Sequence, residues 1–253
     1  MATESQKKRK ELREKRLAAE KKAKGQDTRQ NTVKAIAAVA FLAAIVVIVV
    51  IVVAVSGGGG DDATKSSGEI EKLFAGIPQD GITLGQPDAK ATLVEFGDLQ
   101  CPACKDFADN GLPVLIEDEI RPGRAKIEFL NWPILGPDST TAGKAALAAS
   151  LQGRYWQFLE YFYVNQGAEG TSYITDEFLT DIAEQAGVPD IDKWNEDRNL
   201  PRWEDEIVRT DEQAIELGFT GTPSFALRKP DGSLDPIQGS SIDDLKKAIR
   251  QAQ

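Results

Sequence analysis

The 253-residue sequence contains no histidine and only two cysteines, Cys101 and Cys104. A zinc site needs about four Cys or His ligands, so this pair alone does not make one, and we expect no metal site. Two cysteines form at most one bridge, which excludes a disulfide-rich scaffold. The C-x-x-C pair is therefore predicted to be redox-active, with a purely structural disulfide as the alternative. Without histidine, proton transfer near it must use a carboxylate or water.

The cysteines follow a short apolar segment that has the pattern of a buried strand. Residues 92–96 are rich in β-favouring side chains, and Gly97 and Asp98 interrupt the pattern. Pro102 is well tolerated in the first turn of a helix, where its missing N–H would be unpaired in any case. The pattern predicts a strand that ends just before a helix running from Pro102 to about Glu119.

This position favours thiolate chemistry. A thiol at a helix start faces free backbone N–H groups and the positive end of the helix dipole, and both lower its pKa. The spacing of Cys101 and Cys104 also lets one sulfur reach the other, as a disulfide that opens and closes requires. We expect dithiol–disulfide exchange at these two residues.

Three segments resemble the DsbA-like branch of the thioredoxin superfamily. They are Phe-Gly-Asp-Leu-Gln-Cys-Pro-Ala-Cys-Lys-Asp-Phe at 96–107, Gly-Gln-Pro-Asp-Ala at 85–89 and Thr-Gly-Thr-Pro-Ser-Phe at 220–225. The resemblance covers about residues 81–253. It implies an α/β thioredoxin-like fold with a helical subdomain inserted at about 141–209, and a protein thiol:disulfide oxidoreductase that needs no cofactor.

The resemblance also implies roles for individual residues. Cys101 is the exposed sulfur that exchanges with substrate, and Cys104 is its resolving partner. Pro223 is the cis-proline beside the sulfurs. The residues expected to border bound substrate are Thr222, Pro102 and Ala103.

Ala103 departs from the family pattern, because many members carry histidine before the second cysteine. Substituents between the cysteines set how strongly the reduced thiolate is stabilised. A disulfide-forming oxidase is favoured, and a reductase or isomerase of the same fold stays open. An inert, tethered binding or chaperone module is the third interpretation.

Glu95 is the one charged residue in an otherwise apolar strand. If it is buried beneath the cysteines, its pKa is raised and it can pass a proton to or from Cys104. A family carboxylate occupies the matching position. The alternative is a solvated glutamate at a sheet edge.

The N-terminal part of the chain has the composition of a membrane anchor. Residues 1–34 hold twelve Lys or Arg against five Asp or Glu, and residues 35–55 contain no charge. Twenty-one helical residues are about 31 Å long, enough to cross the hydrocarbon core of a bilayer. We expect one transmembrane helix, with 1–34 as a cytoplasmic tail and the remainder outside. A cleaved signal peptide for 35–55 and a nucleic-acid patch for the basic run at 7–10 are the less favoured alternatives.

The chain beyond the predicted span is acidic. After residue 60 it carries 18 basic and 35 acidic side chains, which argues against nucleic-acid binding. Residues 56–80 are predicted to be a flexible linker and lead-in, with a short amphipathic helix at 69–77, and 81–253 to be the catalytic domain. The expected partners are reduced exported proteins and, by family resemblance, a membrane quinone-linked oxidase that restores the disulfide.

Further elements are predicted from local patterns. Short strands are expected at 82–84, 126–130 and 224–228, and a last helix at 242–252 capped by Ser241. Thr175 is expected to cap a helix that ends near Gly187. The aromatic-rich segment 155–163 is interpreted as helix core, with a groove for unfolded chains as the alternative.

Overall fold

A computed structural model of the chain describes residues 65–253. The predicted cytoplasmic tail 1–34, the predicted membrane span 35–55 and the first part of the predicted linker lie outside the described residues. Within residues 65–253, no helix is both long enough and apolar enough to cross a membrane.

The centre of the fold is a strand of seven buried residues, which the apolar pattern at 92–96 predicted. Six strands form one sheet in the order β1-β2-β4-β3-β5-β6. Their bounds are β1 Gln79–Asp80, β2 Thr83–Leu84, β3 Ala91–Gly97, β4 Ala125–Asn131, β5 Ser224–Arg228 and β6 Leu234–Pro236. β3 lies in the middle, parallel to β4 and antiparallel to β5.

Eight helices surround this sheet in the described part of the chain. They are α1 Ser67–Phe74, α2 spanning 102–120, α3 Pro137–Ser150, α4 Tyr155–Val164, α5 Asp176–Gln185, α6 Ile191–Asp197, α7 Arg202–Glu216 and α8 Ile242–Gln251. After α1, β1 and β2 the order is strand–helix–strand, five helices, two strands and a helix. It confirms the predicted thioredoxin-like α/β fold with a helical insertion, α3 to α7, which is longer at both ends than the predicted 141–209.

The lead-in helix belongs to the folded unit. The compact unit covers Lys65–Gln253, which places its start well before the predicted boundary at 81. Ser66 caps α1 in a capping box with Glu69, and Ile70 and Phe74 are buried in the main core. Burial of these two apolar side chains holds α1 against the domain, which a flexible lead-in would not do.

The active-site helix α2 contains two wide turns that the sequence pattern did not indicate. It is α-helical at Pro102–Asp106, π-helical at Phe107–Gly111, α-helical at Leu112–Leu115 and π-helical at Ile116–Ile120. Pro113 has no N–H to donate to the carbonyl four residues earlier, so an α-helical ladder is interrupted there. The wide turn just before Pro113 lets the helix continue past it.

Alternation along β3 divides the core between the two faces of the sheet. Val94 and Phe96 pack on one face in a small cluster with Trp132 and Ala214 of α7. Leu93 faces the larger cluster, which includes most of the other helices. The sheet is therefore covered on both sides, as β3 with all seven residues buried requires.

Local signals in the insertion and at the C-terminus behave as predicted. The Thr175 hydroxyl accepts a hydrogen bond from Phe178 N at 3.1 Å, and the Ser241 hydroxyl accepts one from Asp244 N at 3.2 Å. Gly187, at φ +70°, follows the end of α5. Every ring of α4 is buried, which confirms that this aromatic segment is core and excludes the groove interpretation.

Candidate active site

Cys101 occupies the N-cap position of α2, with Pro102 as the first helical residue. Its backbone N–H donates to Asp98 O at 3.0 Å, which closes the turn between β3 and the helix. Both cysteines are free thiols in this structure. The Cys101 side chain is 8% exposed and that of Cys104 is fully buried, so only Cys101 is open to a reagent outside the protein.

Pairing of β5 with β3 brings a distant segment to the cysteines. Ser224 pairs with Phe96 near the end of β3, so the residues that precede β5 lie next to the start of α2. The Thr222–Pro223 peptide bond is cis. The Cys101 thiol donates to Thr222 O at 3.3 Å. Of the predicted site residues, Thr222 and Pro223 are thus beside Cys101, while Pro102 and Ala103 are exposed in the first turn of α2.

The surroundings of Cys101 stabilise its thiolate. Its pKa is lowered to about 6, chiefly by a hydrogen bond from the Cys104 thiol, with further donors in the Thr222 side chain and the backbone N–H groups of Cys104 and Ala103. Burial opposes this shift. The free N–H groups at the helix start therefore help to lower the Cys101 pKa, as the sequence predicted.

Cys104 has the opposite character. Burial raises its pKa well above the usual thiol value, and the hydrogen bond to Cys101 and the charge of Glu95 act in the same direction. At neutral pH the pair is therefore one thiolate and one thiol, and the thiolate is on the exposed side.

Glu95 lies beneath the pair and not at a sheet edge. It is 2% exposed, and burial raises its pKa well above the ordinary value, with the charges of Cys101 and Glu160 adding to the effect. The Phe129 ring packs directly against the backbone of Gly97, two residues after Glu95. A side chain at position 97 would not fit there, because its Cβ would lie 2.4 Å from that ring. A protonated carboxyl close to Cys104 is thus available for proton exchange.

Two polar side chains that the sequence did not single out as supports hold the active-site loop. Asp98 is 1% exposed, and its Oδ2 accepts from the N–H groups of Ile134 and Leu135 at 2.8 and 2.9 Å. Gln166, after α4, donates to Leu99 O at 2.7 Å and to Cys101 O at 3.3 Å. From the sequence, Asp98 was either a residue that tunes the adjacent active-site loop or a plain polar loop residue, and nothing in the sequence signalled Gln166.

The cysteine pair has no acidic or thiolate neighbours arranged as a metal site. Across residues 65–253, no group of three or more Cys, Asp or Glu side chains is placed to hold an ion. The geometry instead places the slightly accessible thiolate of Cys101 beside the fully buried thiol of Cys104, with the buried carboxyl of Glu95 and the Thr222 carbonyl nearby. This arrangement fits disulfide exchange.

Comparison with known proteins agrees with the geometry. The thioredoxin family model matches residues 78–249. The chain belongs to the thioredoxin family. A protein of Bacillus anthracis named probable disulfide bond formation protein D is 31% identical over 170 residues, covering 66% of this chain and 76% of the relative.

Solved thioredoxin-fold structures extend the comparison. The thiol-disulfide exchange protein α-DsbA2 of Wolbachia pipientis is 25% identical, with a TM-score of 0.56, covering 78% of this chain and 100% of that one. Oxidised BdbD of Bacillus subtilis shares the fold at 23% identity and a TM-score of 0.59, covering 68% and 92%. Within the thioredoxin family, the chain is a DsbA-like thiol:disulfide oxidoreductase.

Proposed function

We propose that this oxidoreductase introduces disulfides into exported proteins by exchange at Cys101 and Cys104. A substrate thiolate attacks Cys101 Sγ of the oxidised pair, the S–S bond breaks, and Cys104 leaves with the electron pair and takes up one proton. A second substrate thiolate then attacks the substrate sulfur of the mixed disulfide and releases Cys101 as thiolate. The enzyme gains two electrons and the substrate loses two.

The observation that carries this proposal is the placement of the pair, with Cys101 at the N-cap of α2 next to the cis Thr222–Pro223 bond and Cys104 fully buried behind it. The lowered pKa of Cys101, about 6, agrees with this placement. A disulfide is a good oxidant when its reduced form is stabilised, and a thiolate that is stable at neutral pH provides this stabilisation. The relative named for disulfide bond formation supports the same direction.

The remaining site residues have supporting roles in the proposal. Glu95 passes a proton to Cys104 as that sulfur leaves, and takes it back when the pair is reoxidised. Thr222 and Pro223 border the substrate chain next to the sulfurs, and Pro102 and Ala103 form the exposed rim beside Cys101.

The proposed location is the outer side of a membrane. The uncharged segment 35–55 and the basic segment before it support an anchor in the lipid bilayer with the N-terminus in the cytoplasm. A membrane quinone-linked oxidase would then accept the electrons from the reduced pair. Reduced exported proteins are the proposed substrates.

One observation favours a second function, reduction or isomerisation of disulfides. Ala103 stands in the position where, by the family resemblance, many members carry histidine. Residues between the cysteines set how strongly the reduced thiolate is stabilised, and weaker stabilisation would favour reduction or isomerisation.

The proposed activity is tested with the full chain and reduced, unfolded ribonuclease A. The oxidised wild-type protein is expected to restore ribonuclease activity, with two thiols appearing on the enzyme per disulfide formed. Cys101→Ser should abolish the reaction. Cys104→Ser should instead accumulate a mixed disulfide through Cys101 when mixed with oxidised glutathione, and full activity of Cys101→Ser would refute the mechanism.

A further inference from the structure

The turn that carries Cys101 is attached to the helical insertion through the side chain of Gln166. This residue follows α4, and its Nε2 donates to Leu99 O at 2.7 Å and to Cys101 O at 3.3 Å. Both acceptors are backbone carbonyl oxygens, so only the NH2 end of the amide can face them. Gln166 therefore bridges the backbone on the two sides of Gln100, where β3 leads into α2.

The peptide plane between Cys101 and Pro102 has few groups that can fix it. Pro102 has no N–H, so the only hydrogen-bonding group of this plane is the Cys101 carbonyl. That carbonyl accepts from Lys105 N at 3.1 Å and from Gln166. The plane before Cys101 is fixed by its N–H, which donates to Asp98 O at 3.0 Å. The φ and ψ of Cys101, −75° and 121°, are thus set from both sides, and Gln166 acts on one of them.

The backbone of Cys101 decides which groups its sulfur meets, because φ and ψ set the direction of the side chain. The sulfur lies 3.3 Å from Thr222 O. It also accepts from the Cys104 thiol and from the backbone N–H groups of Cys104 and Ala103. Hydrogen bonds weaken steeply with distance and angle, so a small rotation of the turn weakens all of these contacts together.

The position of Gln166 is itself well defined. Its backbone N–H donates to Tyr163 O at 3.2 Å, at the end of α4. The next residue, Gly167, lies so close to the Tyr173 ring that a Cβ there would be 2.6 Å from it. The Tyr173 ring packs in turn against Phe162 of α4, with 6.3 Å between the ring centroids. The amide of Gln166 is therefore anchored to the aromatic core of the insertion.

A second hydrogen bond connects the same turn to the insertion, but it holds a different part of the turn. Gln100 Nε2 donates to Ser139 Oγ in α3 at 2.8 Å, and both residues are buried. Ser139 thus binds a side chain, whereas Gln166 binds backbone groups on both sides of Gln100. Of the two contacts, the one made by Gln166 acts directly on the backbone of Cys101.

We propose that Gln166 is a positioning residue, through which the helical insertion holds Cys101 in the geometry that disulfide exchange requires. The inference rests on the proposed exchange reaction. In the oxidised protein the bond between the two sulfurs itself fixes Cys101 against Cys104. In the reduced protein only hydrogen bonds fix it, so loss of Gln166 destabilises the reduced form more than the disulfide and makes the protein a weaker oxidant.

A purely structural role for Gln166 makes a different prediction. If its hydrogen bonds only join the insertion to the sheet, their loss lowers the stability of the oxidised and reduced proteins equally. The chemistry of Cys101 then stays as in wild type. The reactivity of the sulfur and the reduction potential therefore distinguish the two roles, whereas a change in stability does not.

The test compares full-length wild type with Gln166→Met, which keeps the length of the side chain and removes its donors. Alkylation of the reduced protein with iodoacetamide from pH 4 to 9 gives the pKa of Cys101, and equilibration with glutathione at pH 8 gives the reduction potential. We expect the Cys101 pKa to rise by about 0.5–1, the size of one lost hydrogen bond. The equilibrium should shift about threefold to tenfold toward the disulfide, which is about 15–30 mV.

Gln152→Met is the matched control. Gln152 is also half-buried and also makes two hydrogen bonds across the insertion, to the backbone N and O of Asp190 at 2.9 Å each. Its loss should lower stability and leave the pKa of Cys101 and the potential unchanged. Ser139→Ala should change both quantities less than Gln166→Met does. Gln166→Ala removes the same donors in a smaller side chain and decides the question if Gln166→Met does not fold.

A wild-type Cys101 pKa and a wild-type potential in Gln166→Met and Gln166→Ala would overturn the positioning role, and so would equal shifts in Gln152→Met. These results would leave the exchange reaction itself intact. That reaction fails separately, if oxidised wild-type protein does not form disulfides in ribonuclease.

Discussion

At the scale of single residues, the account depends on the different states of two sulfurs three positions apart. Cys101, the more accessible one, is held as thiolate chiefly by a hydrogen bond from the Cys104 thiol, and Cys104 is held as thiol by burial. The helix-start argument made from the sequence explains only the smaller part of the first state, the donors of the first turn of α2. The second depends on the complete burial of Cys104 in the main core, which no local pattern indicates.

Alkylation of the reduced protein by iodoacetamide should report this difference. With the Cys101 pKa lowered to about 6, we expect the rate to rise with pH through a midpoint near pH 6. The adduct should be on Cys101, with Cys104 unmodified until the protein is unfolded, as peptide mass spectrometry will show. A midpoint near that of a free thiol, or labelling of Cys104 first, would contradict the assignment.

Asp98 is expected to be important for stability. Its Oδ2 accepts two backbone hydrogen bonds from residues 134 and 135, and Asp98→Ala removes the buried acceptor of both partly exposed donors. The free energy of unfolding in urea should fall by about 1–3 kcal/mol. The exposed Asp181→Ala serves as the control, and an equal change in both variants would rule out a special role for Asp98.

Residues such as Asp98 and Gln166 show where prediction from the sequence ends. Cys101 and Pro223 were found because short motifs surround them. The partners of Asp98 and Gln166 lie 36 and 67 residues away, and they meet only because β3, β4 and α4 pack together. Burial of Glu95 was left open for the same reason, since one charged residue in a strand does not say which face is covered.

At the scale of elements, periodicity and caps predicted most of the structure. The central strand, the active-site helix and the last helix are where the sequence placed them. The wide turns of α2 were missed, because the effect of Pro113 on a helix depends on whether packing holds the chain helical beyond it. The two-residue strand β1 was also missed, since so short a segment has no pattern of its own.

The cap of α8 offers a test at this scale. Ser241→Ala removes the hydroxyl that accepts from Asp244 N, and such a change costs about 1 kcal/mol. Thermal unfolding should therefore occur a few degrees lower. Ser240→Ala, one residue earlier and also exposed, should leave the melting temperature unchanged, and equal shifts in the two variants would argue against the cap.

At the scale of the whole molecule, the thiolate links stability to pH. The folded pKa of Cys101 is depressed from 9.0 to about 6, so its contribution is fully present above the unfolded value and is lost as pH falls through 6. Each pKa unit corresponds to about 1.4 kcal/mol, which limits the contribution to about 4 kcal/mol.

The reduced wild-type protein should therefore lose stability relative to reduced Cys101→Ser between about pH 9 and pH 6. Urea unfolding of both proteins at several pH values measures this difference. A constant difference over that range would mean that Cys101 is not preferentially ionised in the folded state.

The central claim is that stabilisation of the reduced pair makes this protein an oxidant, and its reduction potential tests the claim most directly. The full chain has only one cysteine pair, so equilibration with glutathione buffers and counting of free thiols gives the potential without ambiguity. We predict a value between about −230 and −120 mV, more oxidising than thioredoxin. A reduction potential of about −270 mV or lower would contradict the account, because it would mean that the protein reduces disulfides as thioredoxin does.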